Sequence, residues 1–190
     1  RPDTILISVN HVCNETGIIH NLTPLIDLKK KHGFMIHLDA CQTIGKTSLN
    51  LQDLPIDFVS LSAHKTYGPQ GIGALYIPEG RHISPIIHGS HPVRSGTLSH
   101  SLIEMMGDAF LLAAQEIDSN TQHICQVRQK FLEELQETCF KQNNEKKEQL
   151  QVPHILNLYF PEASSSTIDL IRQAIYCQIS SACHKGGLSH

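Results

Sequence analysis

The stretch SLSAHKTYGPQGIGALY, from Ser60 to Tyr76, puts small polar residues and a lysine directly after one apolar run, and a Gly- and Pro-rich turn directly before another. Phe58 to Leu61 (FVSL) and Ile72 to Ile77 (IGALYI) read as strands, so Ser62, His64 and Lys65 fall at a strand end. Open α/β sheets bind ligands at such ends. Further toward the N-terminus, Phe34 to Leu38 (FMIHL) is another strand, and HLDACQTIGK (His37 to Lys46) sets Asp39 just after it. Thr4 to Val9 (TILISV) is short, β-branched and apolar, as strands buried in parallel sheets are. Asn14 to Gly17 turns the chain. Leu22 to His32 then carries Leu22, Leu25 and Ile26 at helical spacing and ends in three lysines before Gly33. Cations in the last turn and a glycine after it stop a helix. Strand, helix and strand at this spacing predict βαβ units, a mostly parallel sheet and the α/β class.

Toward the C-terminus the texture changes at Ser101. Leu102 to Asp118 predicts an apolar-rich helix, and Thr121 to Gln142 a second, with Ile124, Val127, Phe131 and Leu135 at helical spacing. Asn143 to Gln149 (NNEKKEQ) is a solvated charged loop, Ile155 to Phe160 (ILNLYF) a strand, and Ser166 to Cys177 a helix opened by Ser/Thr caps. Gln178 to Ser180 reads as a short strand. The chain has 190 residues, 40% hydrophobic and 17% charged, which excludes a disordered tail, a collagen-like fibre or a coiled coil. A net charge of −3 argues against nucleic acid as a partner, and no run approaches the roughly 20 apolar residues of a membrane helix. The chain opens on Arg1 rather than Met, without a secretory apolar region, and stops at His190, so it is expected to be a piece of something longer.

Six scattered cysteines without a C-x-x-C spacing suit reduced thiols in a cytosol-like compartment, with bacterial cytoplasm and mitochondrial matrix fitting equally. The thirteen histidines form no zinc spacing, and no metal site is expected. Alternation puts His37, Asp39 and Cys41 on one strand face, a ligand set on paper, but the surrounding residues give Asp39 a better use. Ser62, His64 and Lys65 combine donors for an anion with an amine nucleophile, and a partly desolvated lysine among cations forms Schiff bases. A pyridoxal phosphate enzyme needs such a lysine, a carboxylate for the pyridine nitrogen, and donors for the phosphate.

Together VNHVCNETG, HLDACQTIGK, DFVSLSAHKTYGPQGIGALY, RSGT and PHILNLYF resemble the cysteine desulfurases, pyridoxal phosphate enzymes of the class V aminotransferase superfamily. The resemblance implies a type I transferase fold: residues 1–100 as the later half of the cofactor-binding large domain, and 101–190 as a connecting helix and an incomplete small α+β domain. It implies Lys65 as the Schiff-base lysine and Asp39 as partner of the pyridinium nitrogen. Gln42 and Asn14 would reach the phenolic oxygen or the substrate edge, while Ser62, His64 and the backbone around Ala63 would hold the phosphate. Thr97 would reach the phosphate of a partner subunit, hence a homodimer. Cys183, beside His184 and Lys185, would be the nucleophile that takes sulfur from L-cysteine and becomes a persulfide. Asn14 also suits a plain turn, Thr97 a helix cap ahead of Leu102, and Cys183 an idle thiol.

Several positions depart from the family pattern. Cys13 stands where a second asparagine is common, Cys41 replaces a small or hydroxyl residue, and the glycine-rich stretch before Arg94 is short. A ring-stacking histidine and a phosphate loop belong upstream, and a carboxylate-gripping arginine belongs beyond His190. This stretch alone is therefore expected to lack part of the site. The implied reaction yields alanine and passes sulfur to an iron–sulfur scaffold or another acceptor. Selenocysteine lyase uses the same cofactor residues. A non-catalytic relative kept for dimerisation or partner binding is the reading from a different class, opposed by the joint presence of Lys65, Asp39, Gln42 and His64.

Overall fold

Four strands, β1 (Leu6–Asn10), β2 (Met35–Asp39), β3 (Phe58–Ser62) and β4 (Gly73–Tyr76), form one sheet in chain order. This computed structural model describes residues 1, 3–91, 93–135, 139–143, 150–161 and 177. The helix expected over 166–177, the strand over 178–180 and Cys183 lie outside these residues, Cys177 apart. β1, β2 and β3 run parallel, and β4 returns antiparallel to β3. The crossover from β1 to β2 is α1 (Thr23–His32), which starts with proline in its first turn. It ends at Gly33, whose φ of 76° lets its N–H reach the Lys29 carbonyl.

The two faces of the sheet divide by chemistry. Ile7, Val9, Ile36, Leu38, Val59 and Leu61 alternate onto one face, where Ile36, Leu38 and Val59 pack with Leu22 and Ile26 from the α1 side. Ser8, Asn10, His37, Asp39, Ser60 and Ser62 share the opposite face, with Ser8 level with His37, Asn10 with Asp39, and Asp39 with Ser60. A one-residue slip would turn the polar set into the core, so burial of the apolar face enforces the register.

A buried carboxylate holds the opposite edge of the sheet from Asp39. Asp57, 3% exposed, accepts from the Ile36 N–H at 2.7 Å and pairs with both Lys29 of α1 and Arg81. Lys29 also reaches the Pro55 carbonyl at 2.7 Å. Burial opposes ionisation of Asp57. The hydrogen bonds from Lys29 and the Ile36 N–H, and the charges of Lys29 and Arg81, outweigh it and keep the carboxyl below its ordinary pKa.

Helices α2 (His100–Gln115) and α3 (Ile117–Glu134) follow, parted by Glu116. The second expected helix therefore stops short of Gln142. Lys141–Gln142 is instead β5, antiparallel to β6 (Leu158–Tyr159), which shortens the strand expected over Ile155 to Phe160. Two residue pairs close this ribbon, and Phe140 and Phe160 meet beside it with ring centroids 6.2 Å apart. The chain then ties back to the Asn14 turn, where the Val152 N–H bonds the Gly17 carbonyl at 2.9 Å. Val152 is 1% exposed. Among the described residues no helix is long and apolar enough to cross a membrane.

Asp57→Asn should lower the unfolding free energy by about 3 kcal/mol, because it takes the charge from a buried carboxylate that the part-buried Lys29 ammonium and Arg81 both pair with. Arg81→Ala, at the half-exposed end, should cost about 1 kcal/mol or less. Because the Asp57 pKa is depressed on folding, this stabilisation is present above the ordinary carboxylate pKa and is lost as pH falls through the lower folded value. Urea unfolding at pH 7 and again near pH 3 checks both; equal losses for the two variants at pH 7 would refute the assignment.

Candidate active site

Three turns meet at the C-terminal edge of the parallel strands. The first follows β1 and carries exposed Asn14, with Gly17 N–H bonded to the Cys13 carbonyl at 2.9 Å. The second follows β2, where Asp39 Oδ1 accepts the Cys41 N–H at 2.9 Å and Ala40 to Thr47 winds through successive turns. The third follows β3. Ser62 is extended, and Ala63–Thr66 forms one 3₁₀ turn. The Ala63 carbonyl accepts the Thr66 hydroxyl at 2.9 Å and the Gly68 N–H at 3.0 Å, while the Ala63 N–H goes to Ile72. Lys65 is thereby held half-buried on a tight turn rather than on a mobile loop. Tyr67, which caps the turn, is fully exposed at φ 61°, a left-handed conformation uncommon for a tyrosine.

The second and third turns are kept together by α2. A Cβ on Gly45 (φ +69°) would lie 2.5 Å from the Ala113 methyl, and one on Gly68 would lie 3.2 Å from that of Ala109. Ala109 and Ala113 are one helical turn apart and share a face. Two glycines against two alanines let the backbone of both turns approach one helix. The turns bearing Gln42, Lys46 and Lys65 are thus fixed to a common support.

The electrostatics follow from this proximity. Burial works against the Asp39 carboxylate, but hydrogen bonds from Cys41 and the charges of Lys65 and His37 prevail and hold its pKa below the ordinary value. Asp39 is ionised at neutral pH and faces cations. Burial, together with the hydrogen bond and charge of Asp39, pushes the Cys41 thiol up to about 11. Cys41 is therefore a protonated donor, 3.8 Å from the Ser60 carbonyl, and not a nucleophile. His37, Asp39 and Cys41 do not converge as ligands: His37 is held by Ser8 and Ser60 at 2.7 Å each, spanning three strands. Ser62 and His64 meet at 2.9 Å, Oγ to Nδ1.

Three further side chains at this edge carry no role legible in the sequence motifs. His11, buried after β1, bonds Thr43 at 2.9 Å and ties the first turn to the second. Lys46 donates to Gln42 Oε1 at 2.9 Å; burial first, and Lys65 second, lower its pKa to about 8. His154 is pushed down to about 4 by burial and by Lys46, and its Nε2 is buried without a hydrogen-bond partner among the described residues. The Gly-Lys pair three residues after Gln42 was the visible signal for Lys46, since a lysine one helical turn from a glutamine reaches its amide. Thr97 is exposed, two residues before Ser99, which precedes α2.

The donor set matches a phosphorylated pyridine aldehyde. It offers an ionised carboxylate, a lysine amine near it, a serine–histidine pair on the same turn as that lysine, and a glutamine amide one turn away. The family model for class-V aminotransferases matches residues 1–184. Cysteine desulfurase IscS of Methylobacillus flagellatus is 39% identical over 193 residues, covering 99% of this chain and 47% of that protein. Among solved structures, a NifS-like protein superposes with a TM-score of 0.80 at 32% identity, covering 90% of this chain and 48% of the other. SspA in complex with cysteine gives a TM-score of 0.74 at 29% identity, covering 96% and 51%. The chain spans about half the length of the curated relatives it matches.

Gly45→Ala forces a methyl against Ala113 at a positive φ, and should destabilise by about 1–3 kcal/mol. Combining it with Ala113→Gly, which removes the opposing methyl, should restore part of the loss. Thermal unfolding of the two single variants and the double tests this, and strictly additive losses would show that the contact is not the cause.

Proposed function

The chain belongs to the class-V aminotransferase family, with the α/β architecture of the NifS-like structures, and from that premise we propose that it forms the lysine-bearing part of a pyridoxal phosphate-dependent cysteine desulfurase. The observation that carries the reading is the placement of Lys65 on the turn after β3 within electrostatic reach of Asp39 at the end of β2, at one edge of the sheet. When bound, pyridoxal phosphate supplies an electron sink for the bonds at the substrate α-carbon. Asp39 would stabilise the protonated pyridine nitrogen, and Lys65 would hold the cofactor covalently and move the proton at that carbon. Ser62 and His64 would bind the phosphate. Ala63, whose N–H and carbonyl serve the turn, contributes by shaping it. Asn14 and Gln42 would border the ring and the substrate, from the turns after β1 and β2.

The substrate in this reading is L-cysteine. The Cys183 thiolate would attack the substrate sulfur, and the C–S bond would break with its electron pair left on carbon. That carbon gains a proton and departs as alanine, while Cys183 keeps the sulfur as a persulfide for an acceptor, an iron–sulfur scaffold among them. Exposed apolar residues on α2 and α3, including Met105, Leu111, Leu112 and Val127, support a homodimer in which Thr97 reaches the partner's phosphate.

The complete gene product should bind added pyridoxal phosphate with a visible absorbance and release sulfide from cysteine in the presence of a thiol. Lys65→Ala should abolish both. Asp39→Asn should bind the cofactor and lose at least 100-fold in turnover, roughly the contribution of one preorganised charge. Cys183→Ala should keep the absorbance and lose sulfur transfer. A complete protein that stays colourless with the cofactor would refute the enzyme reading, and a preference for selenocysteine over cysteine would replace the substrate.

A further inference from the structure

Gln42 and Lys46 lie four residues apart in the turns after β2, and the Lys46 ammonium donates to Gln42 Oε1 at 2.9 Å. The Thr47 N–H bonds the Thr43 carbonyl at 3.0 Å and the Ile44 N–H bonds the Ala40 carbonyl at 3.3 Å, so this segment has the helical spacing that aligns the two side chains. A lysine ammonium has three donors and no acceptor, whereas a glutamine amide has an acceptor end and a donor end. The contact therefore dictates which way the amide points. Its oxygen is taken by Lys46, which leaves the NH₂ as the end that can donate to another group.

We propose that Lys46 is a positioning residue: it fixes the Gln42 amide so that the NH₂ end, and not the oxygen, is presented to the anionic oxygen of a ligand bound over Asp39 and Lys65. The inference rests on the reading of this site as a pyridoxal phosphate site, where that oxygen is the phenolic one. Without Lys46 the amide could rotate and offer its oxygen, and an acceptor facing an anion is repulsive.

The surroundings of Lys46 favour this role. It is half-buried, and the titratable groups acting on it are Lys65, Cys41 and His154. Cys41 is held protonated and His154 neutral, so neither supplies a counter-charge at neutral pH. Gln42 is the acceptor the structure gives the ammonium, which makes the hydrogen bond costly to lose for both partners. Gly45 supplies the rest of the geometry, because only a residue without Cβ lets this turn sit against Ala113 and carry Lys46 inward.

The test reads the bound cofactor and not turnover. In the complete, cofactor-loaded protein, the pH midpoint of the visible absorbance reports how well the phenolic oxygen is stabilised as an anion. A donor on that oxygen favours the anion and lowers the midpoint. Gln42→Ala and Lys46→Met should each raise it by about one unit, and the double variant should raise it no further than either alone. Lys46→Arg, which can still donate to the amide oxygen, should stay within a few tenths of the wild type. Gln42→Glu can still accept from Lys46 but has no donor end, and should raise the midpoint at least as much as Gln42→Ala. Additive shifts in the double variant would mean that Lys46 acts through its own charge, which overturns the proposal; so would an unmoved midpoint in Gln42→Glu, a result that decides the matter even if Lys46→Met fails to fold. A wild type without visible absorbance would instead refute the function proposed above, and this inference with it.

Discussion

The buried Asp57 carboxylate is the constraint on which the other features depend. It gathers the Lys29 ammonium at the end of α1, the Ile36 N–H at the start of β2 and Arg81 from beyond β4. These contacts fix where α1 crosses, how deep β2 enters the sheet, and how β3 starts beside it. The register that burial of the apolar face enforces runs along the strands to the other edge. There Asp39 stands level with Ser60, and the turn bearing Lys65 begins after Ser62.

At the site edge, backbone proximity is achieved by leaving out side-chain atoms. Gly45 and Gly68 approach Ala113 and Ala109 of α2, which presses two turns onto one helix. That contact brings Lys46 within electrostatic reach of Lys65, and lets an ionised Asp39 share the edge with both. The resulting field sorts the thiol chemistry. Cys41, next to Asp39, is kept protonated, so the thiolate that the proposed reaction needs must come from elsewhere in the chain.

Much of this was legible from residues in order. The strands TILISV, FMIHL, FVSL and IGALYI, the lysine-rich helix end at Gly33, and the clustering of Asp39 and Lys65 at strand ends all survive in the structure, with boundaries shifted by one or two residues. Strand β6 lies within the strand expected over Ile155 to Phe160, but its partner β5 was not legible, since a two-residue strand has no period to detect and Lys141–Gln142 stood at the end of the second expected helix. The triad His37, Asp39 and Cys41 looked alike on paper because alternation assumes that the strand continues. The strand ends at Asp39, and hydrogen bonding sends His37 to two serines and Cys41 to a carbonyl.

By itself the sequence determined the α/β class, a mostly parallel sheet and the residue types gathered at one edge, because apolar periodicity, helix stops and turn glycines act over a few neighbours; the antiparallel return of β4 came from the structure. Only the tertiary structure decided which side chains meet and in what charge state. His11 bonding Thr43 and a neutral His154 beside Lys46 join positions that the chain separates by up to about a hundred residues. Burial and the summed charge of neighbours set their protonation, and those quantities exist only once the turns are packed against α2.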